Sequence, residues 1–102
     1  MYLIQIFLPL YNNTGKRFPK KNYIQVRRTL LERFGGLTVY SRAPASGLWE
    51  KKAGETIHDE MIIFEVMTKK RSTSWWRTYR DTLEKRFEQD QVIVRAQTIQ
   101  LL

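Results

Sequence analysis

Four side chains with useful chemistry fall at alternating positions of apolar, strand-length runs: Tyr40, Arg42, Glu65 and Arg95. Alternation along a strand puts residues i and i+2 on one face of a sheet. A guanidinium pair suits a carboxylate or phosphate. Tyr40 or Glu65 can move a proton once buried. Trp49 follows Gly47-Leu48 in a loop rich in turn formers. It can wall or cover a pocket, pack on the sheet, or grip a second subunit.

A second constellation is cationic. Lys16, Arg17, Lys20 and Lys21 crowd the start of a helical pattern. The helix dipole is positive at that end, so cations there are unfavourable. With free backbone N–H groups they form an anion site, or else a solvated basic loop. The only histidine, His58, shares a strand face with Glu60 alone, too few ligands for a metal. There is no cysteine. No metal and no cofactor is therefore expected.

The elements that must position these groups follow from periodicity. Tyr2 to Leu8 reads as a strand. Pro19 suits the first turn of a helix that runs to about Phe34, with Tyr23, Val26, Leu30 and Phe34 as its apolar stripe. Gly35-Gly36 supplies the stop. A second strand spans Leu37 to Arg42, and Ala43 to Thr56 reads as a long hairpin loop. Ile57 to Met67 is a third strand. Ser72 or Ser74 can cap a second helix, whose stripe is Trp76, Tyr79, Leu83 and Phe87. Val92 to Ile99 is the last strand. The order is β-α-β-β-α-β within one domain of 102 residues. This is the ferredoxin-like α+β sandwich, a four-stranded antiparallel sheet with two helices on one face.

Such a plan leaves one face of the sheet without helices. Ile4, Ile6, Leu8, Leu37, Val39, Ile62, Phe64, Val66, Val92, Val94 and Ala96 form the uniformly apolar sets and belong under the helices. The opposite sets mix Leu3, Phe7, Met61, Ile63, Met67, Ile93 and Ile99 with Gln5, Arg42, Glu65, Arg95 and Gln97. An apolar surface with a few polar groups suits a homodimer interface or a small-molecule cavity. A wet face is the third reading. In the ferredoxin-like strand order Glu65 reaches Arg42 or Gln5 more easily than Arg95, which is left on an edge strand without an acid. Structural pairing and ligand contact are both open to these groups.

The net charge of +8 is uneven. Residues 1–42 carry eight Lys or Arg and one acid, residues 50–65 five acids and two bases, and residues 69–95 eight bases and four acids. A basic excess attracts anions, and the basic residues 16–28 could form a nucleic-acid or anionic-partner binding surface. The pairs Arg77–Asp81, Arg80–Glu84 and Asp81–Lys85 stand at i,i+4, so the charge of the second helix is expected to be matched internally. RNA-recognition folds share the strand order but stack bases on central-strand aromatics. Phe7 and Tyr40 alone could serve here. Gln5 interrupts the first apolar run and no base precedes it, so no signal peptide is expected. No run reaches the length of a membrane span, and a cytoplasmic location is expected.

The segment Arg33-Phe34-Gly35-Gly36-Leu37-Thr38-Val39-Tyr40, the Gly47-Leu48-Trp49 loop and the strand Ile62-Ile63-Phe64-Glu65-Val66 resemble a group of small uncharacterised bacterial ferredoxin-like proteins. The resemblance spans nearly the whole chain and implies the fold rather than an activity. More distantly, the plan is similar to dimeric α+β-barrel proteins, which include cofactor-independent monooxygenases, isomerases and binding proteins. Their catalytic patterns match no residues here, so that likeness implies a possible dimer and no site.

Overall fold

In a computed structural model, residues 1–42, 50–52, 55–56 and 60–102 are described. The elements run β1 (Tyr2–Pro9), α1 (Lys20–Phe34), β2 (Thr38–Arg42), β3 (Glu50–Lys52), β4 (Glu55–Thr56), β5 (Met61–Thr68), α2 (Thr73–Arg86) and β6 (Ile93–Thr98). The main sheet has the order β2-β5-β1-β6, and every neighbouring pair is antiparallel. This is the ferredoxin-like α+β fold that the periodicity implied. β3 and β4 pair with each other in a separate ladder, so part of the expected 43–56 loop is a short hairpin. The third long strand begins at Met61 rather than Ile57.

Alternation sets the core. Ile4, Ile6, Leu8, Phe64 and Val66 are buried, and Val26, Leu30, Trp76, Tyr79, Leu83 and Phe87 meet them from the helices. Both apolar stripes therefore face the sheet as their spacing requires. Phe18 and Leu10, from the β1–α1 connection, complete this layer. Phe87 receives Phe18 edge-on at 5.3 Å and Tyr23 at 5.2 Å. Phe34 stacks on Trp76 at 5.3 Å. Trp75 flanks the stripe between Trp76 and Tyr79, with the Arg33 guanidinium 4.3 Å above its ring.

Local signals place the ends. Gly35 adopts a left-handed φ of 76°, and its N–H donates to the Leu31 carbonyl. A side chain is strained in that region, which is why glycine ends the helix. Ser72 precedes α2 as expected, but its hydroxyl makes no capping bond. Buried Asn22 fastens the start of α1 to the end of α2, where its amide donates to the Arg86 carbonyl at 3.4 Å.

Two expectations are corrected at the sheet edges. Val39, assigned beneath the helices, is 40% exposed. It lies on edge strand β2, where it lines an open apolar groove with Ile24, Leu31 and Leu37. Ala96, on edge strand β6, is also exposed. Two helices span four strands only in part, so the outer strands keep partly uncovered faces.

Candidate functional site

Register brings the polar residues of the open face into one row. Glu65 on β5 and Arg95 on β6 both stand directly opposite Gln5 on β1, and Thr38 on β2 stands opposite Glu65. The row reads Thr38, Glu65, Gln5, Arg95 across four strands. Neighbouring strands lie about 4.8 Å apart, so the Glu65 and Arg95 backbones are about 10 Å apart.

One amide links the two charges. Gln5 Nε2 donates to Glu65 Oε2, and Arg95 Nε donates to Gln5 Oε1 at 2.8 Å. The Arg95 guanidinium also lies 4.7 Å from the Phe7 ring centroid, in cation–π range. Glutamine suits the central place because its side chain donates and accepts at once. Among the described residues nothing donates to Glu65 Oε1, and no base lies within ion-pair reach of Glu65. The terminal nitrogens of Arg95 likewise find no acceptor there. The row therefore presents a half-buried carboxylate oxygen and an exposed guanidinium fork at fixed separation.

Apolar rows border it on both sides. Tyr40, Ile63, Phe7 and Ile93 stand one step along the strands, and Met67 and Leu3 stand one step the other way beside Gln97. Tyr40, Met67 and Ile93 are 45%, 52% and 53% exposed. Side chains of this size seldom cluster on a free solvent-facing sheet.

The expected site residues are brought together only in part. Glu65 and Arg95 share the polar row, and Tyr40 stands in the next. Arg42 does not join them. Its register partner is Met61, four residues along the strand from the Thr38–Glu65 pair. That is about 13 Å along the strand at 3.3 Å per residue, and Gln5 is the residue bonded to Glu65. Trp49 and His58 lie outside the described residues. Gln5 is visible in the sequence as an open-face residue, yet its bridging role needs the cross-strand register.

The cationic cluster is exposed throughout. Lys16, Arg17, Lys20 and Lys21 are on the surface, and none forms an ion pair with a described residue. The loop before them is ordered by Asn12, whose Oδ1 accepts from the N–H groups of Thr14 and Lys16 and from the Thr14 hydroxyl. Pro19 precedes α1 and provides no side-chain cap, and no acid occupies the first turn.

Two tyrosines in the core are shifted. Burial pushes the Tyr23 hydroxyl up to about 12, against a smaller opposing effect of Arg17. Its O–H donates to the Pro9 carbonyl at 2.7 Å. Burial also raises Tyr79. Both belong to the packing on the helix side.

No helix among the described residues is long and apolar enough to cross a membrane. No protein-family model matches the chain, and no curated protein matches it. A solved structure of a phage SAM lyase in complex with S-methyl-5'-thioadenosine is similar in fold. The TM-score is 0.58 at 15% identity, over 94% of this chain and 79% of that one.

Proposed function

We propose that the chain binds a small molecule on the open sheet face, and that a second copy of the chain closes the site. The observation that carries this reading is the Glu65–Gln5–Arg95 row. It holds a free carboxylate oxygen and free guanidinium nitrogens at fixed separation between apolar rows. Complementarity favours a ligand with a cationic or donor group near Glu65 and an anionic or acceptor group near Arg95. The apolar rows take its uncharged body. The fork of Arg95 recognises a carboxylate or phosphate, and Glu65 Oε1 is the position that accepts a proton. A cofactor-independent enzyme is the catalytic form of the same reading. Tyr40, Arg42 and Trp49 stay in it as contacts toward the β2 side and the 43–56 segment.

The homodimer rests on the exposure of Met67, Ile93 and Tyr40 around half-buried Leu3, Phe7 and Ile63. Covering such a patch is favourable by roughly 25 cal/mol per Å² before association costs. The phage SAM lyase has a similar fold and holds S-methyl-5'-thioadenosine, so a nucleoside thioether is a sensible first probe.

Isothermal titration with S-methyl-5'-thioadenosine, S-adenosylmethionine and methionine tests the reading. Saturable binding that weakens about tenfold in Arg95→Ala and in Glu65→Gln supports it. Binding equally tight in both variants places the site elsewhere. Then the face has a structural or interaction role.

A second reading is an anion or nucleic-acid surface at Lys16, Arg17, Lys20 and Lys21. Their exposure, without an ion pair among the described residues, favours it. An oligonucleotide titration across a salt series should then show a steep salt slope that flattens when Lys20 and Lys21 are replaced. Absence of binding at low salt ends it.

A further inference from the structure

The helix side of the sheet carries a separate feature. A cleft of about 380 Å³ opens between α2 and β6. Its lining includes Arg71, Thr73, Arg77 and Arg80, over a floor of Ile4, Trp76, Val94 and Ala96. Arg95 borders it at the sheet edge, with its Nε bonded to Gln5 and its guanidinium beside Phe7 on the other face.

Of the arginines lining this cleft, only Arg80 has an acid in ion-pair range among the described residues. No acid lines the cleft itself. Of the three i,i+4 pairs that the sequence offered on α2, only Arg80–Glu84 lies within ion-pair distance, at 4.0 Å. Glu84 is also engaged by the Val92 N–H, which donates to its Oε2 at 2.9 Å. Arg71 and Arg77 have no acid in reach among the described residues. The Nε of Arg80 is buried and lies 4.0 Å from Glu84 Oε2. The exposed guanidinium groups of Arg71 and Arg77 are the ones open to an anion.

We propose that this cleft binds a nucleoside phosphate. Guanidinium groups lining one cleft with a threonine suit a phosphate, which offers several acceptor oxygens to forked donors. A lone phosphate would leave the apolar floor bare. The volume lies in the range of ligand pockets, so the phosphate should carry an apolar or planar body. Ala96, small and exposed, lies on the β6 side of this cleft.

Isothermal titration of the full chain with ADP tests this, beside inorganic phosphate, adenosine and a single-stranded oligonucleotide. ADP should bind saturably, and adenosine and inorganic phosphate each at least about tenfold more weakly. Arg77→Gln and Arg71→Gln should each weaken ADP about tenfold. Ala96→Leu should do the same by filling the floor without changing charge. Lys85→Gln, at an exposed position of α2 outside the cleft, should leave ADP binding unchanged, which separates this cleft from the general basic charge of the helix. Circular dichroism melting confirms that each variant is folded. If Arg77→Gln and Ala96→Leu bind ADP as wild type does, or if ADP does not saturate, the proposal is overturned. Binding of the oligonucleotide alone overturns it in favour of a nucleic-acid surface.

Discussion

The side-chain amide of Gln5 joins Glu65 to Arg95 across three adjacent strands, taking a hydrogen bond from Arg95 Nε at 2.8 Å and donating one to Glu65 Oε2. Neither charged residue then needs the other, and each keeps hydrogen-bonding capacity for a visitor. Gln5→Leu would remove both bonds, at an expected cost of about 1–2 kcal/mol. Gln5→Glu would set a second carboxylate directly opposite Glu65, where like charges repel, but would keep an acceptor for Arg95, so it should cost less than Gln5→Leu. Urea unfolding of both variants beside wild type makes the comparison.

Burial predicts a sharp contrast between the two faces. Leu83 and Phe87 are fully buried. Leu83→Ala should destabilise by about 2–5 kcal/mol and Phe87→Ala by about 3–5 kcal/mol. Ile93 is 53% exposed on the chain alone, so Ile93→Ala should change the stability of an isolated chain by no more than about 0.5 kcal/mol. If a second copy covers the open face, the Ile93→Ala cost grows with protein concentration. Denaturation at two protein concentrations separates these outcomes.

Tyr23 gives a pH signature. Its folded-state value, raised from 10.0 to about 12, means that folding favours the neutral phenol. The associated stability is fully present below pH 10 and is lost as pH rises toward 12. Tyr23→Phe should flatten this alkaline loss while removing the bond to Pro9. The phenolate absorbance of wild type and variant, followed through the alkaline range, checks the sign. A Tyr23 that titrates at its ordinary value contradicts it.

The dimer has its own test. Ile63 is half-buried in the middle of the open face, beside Phe7 and Tyr40. Wild-type protein should sediment at twice the 12.3 kDa chain mass, and Ile63→Lys at the single mass with its helical circular dichroism intact. A wild-type monomer at micromolar concentration removes the second copy from the account.

The fold was legible because each element carries its own period. Tyr23, Val26, Leu30 and Phe34, and then Trp76, Tyr79, Leu83 and Phe87, keep helical spacing, while Ile4, Ile6 and Leu8 alternate. The site was legible only in composition. Glu65 and Arg95 are visible as open-face residues, but their tie through Gln5 depends on which residues stand opposite across strands distant in sequence. Of the two partners open to Glu65, Gln5 is the one bonded to it, while β2 meets β5 in a register that sets Arg42 opposite Met61. Helix spacing also misled at α2. Residues at i,i+4 can pair, yet surface pairing gains little over hydration, and Arg77 has no acid in reach among the described residues.

The most direct test of ligand binding on the open face is an amide NMR titration of the full chain with S-methyl-5'-thioadenosine, S-adenosylmethionine and methionine. At least one should produce saturable shifts centred on Gln5, Thr38, Glu65 and Arg95, with the facing positions Phe7, Ile63 and Ile93 following. Those shifts should weaken in parallel in Arg95→Ala and Glu65→Gln. No saturable shift with any of the three at millimolar concentration, or shifts confined to other surfaces, would contradict the account.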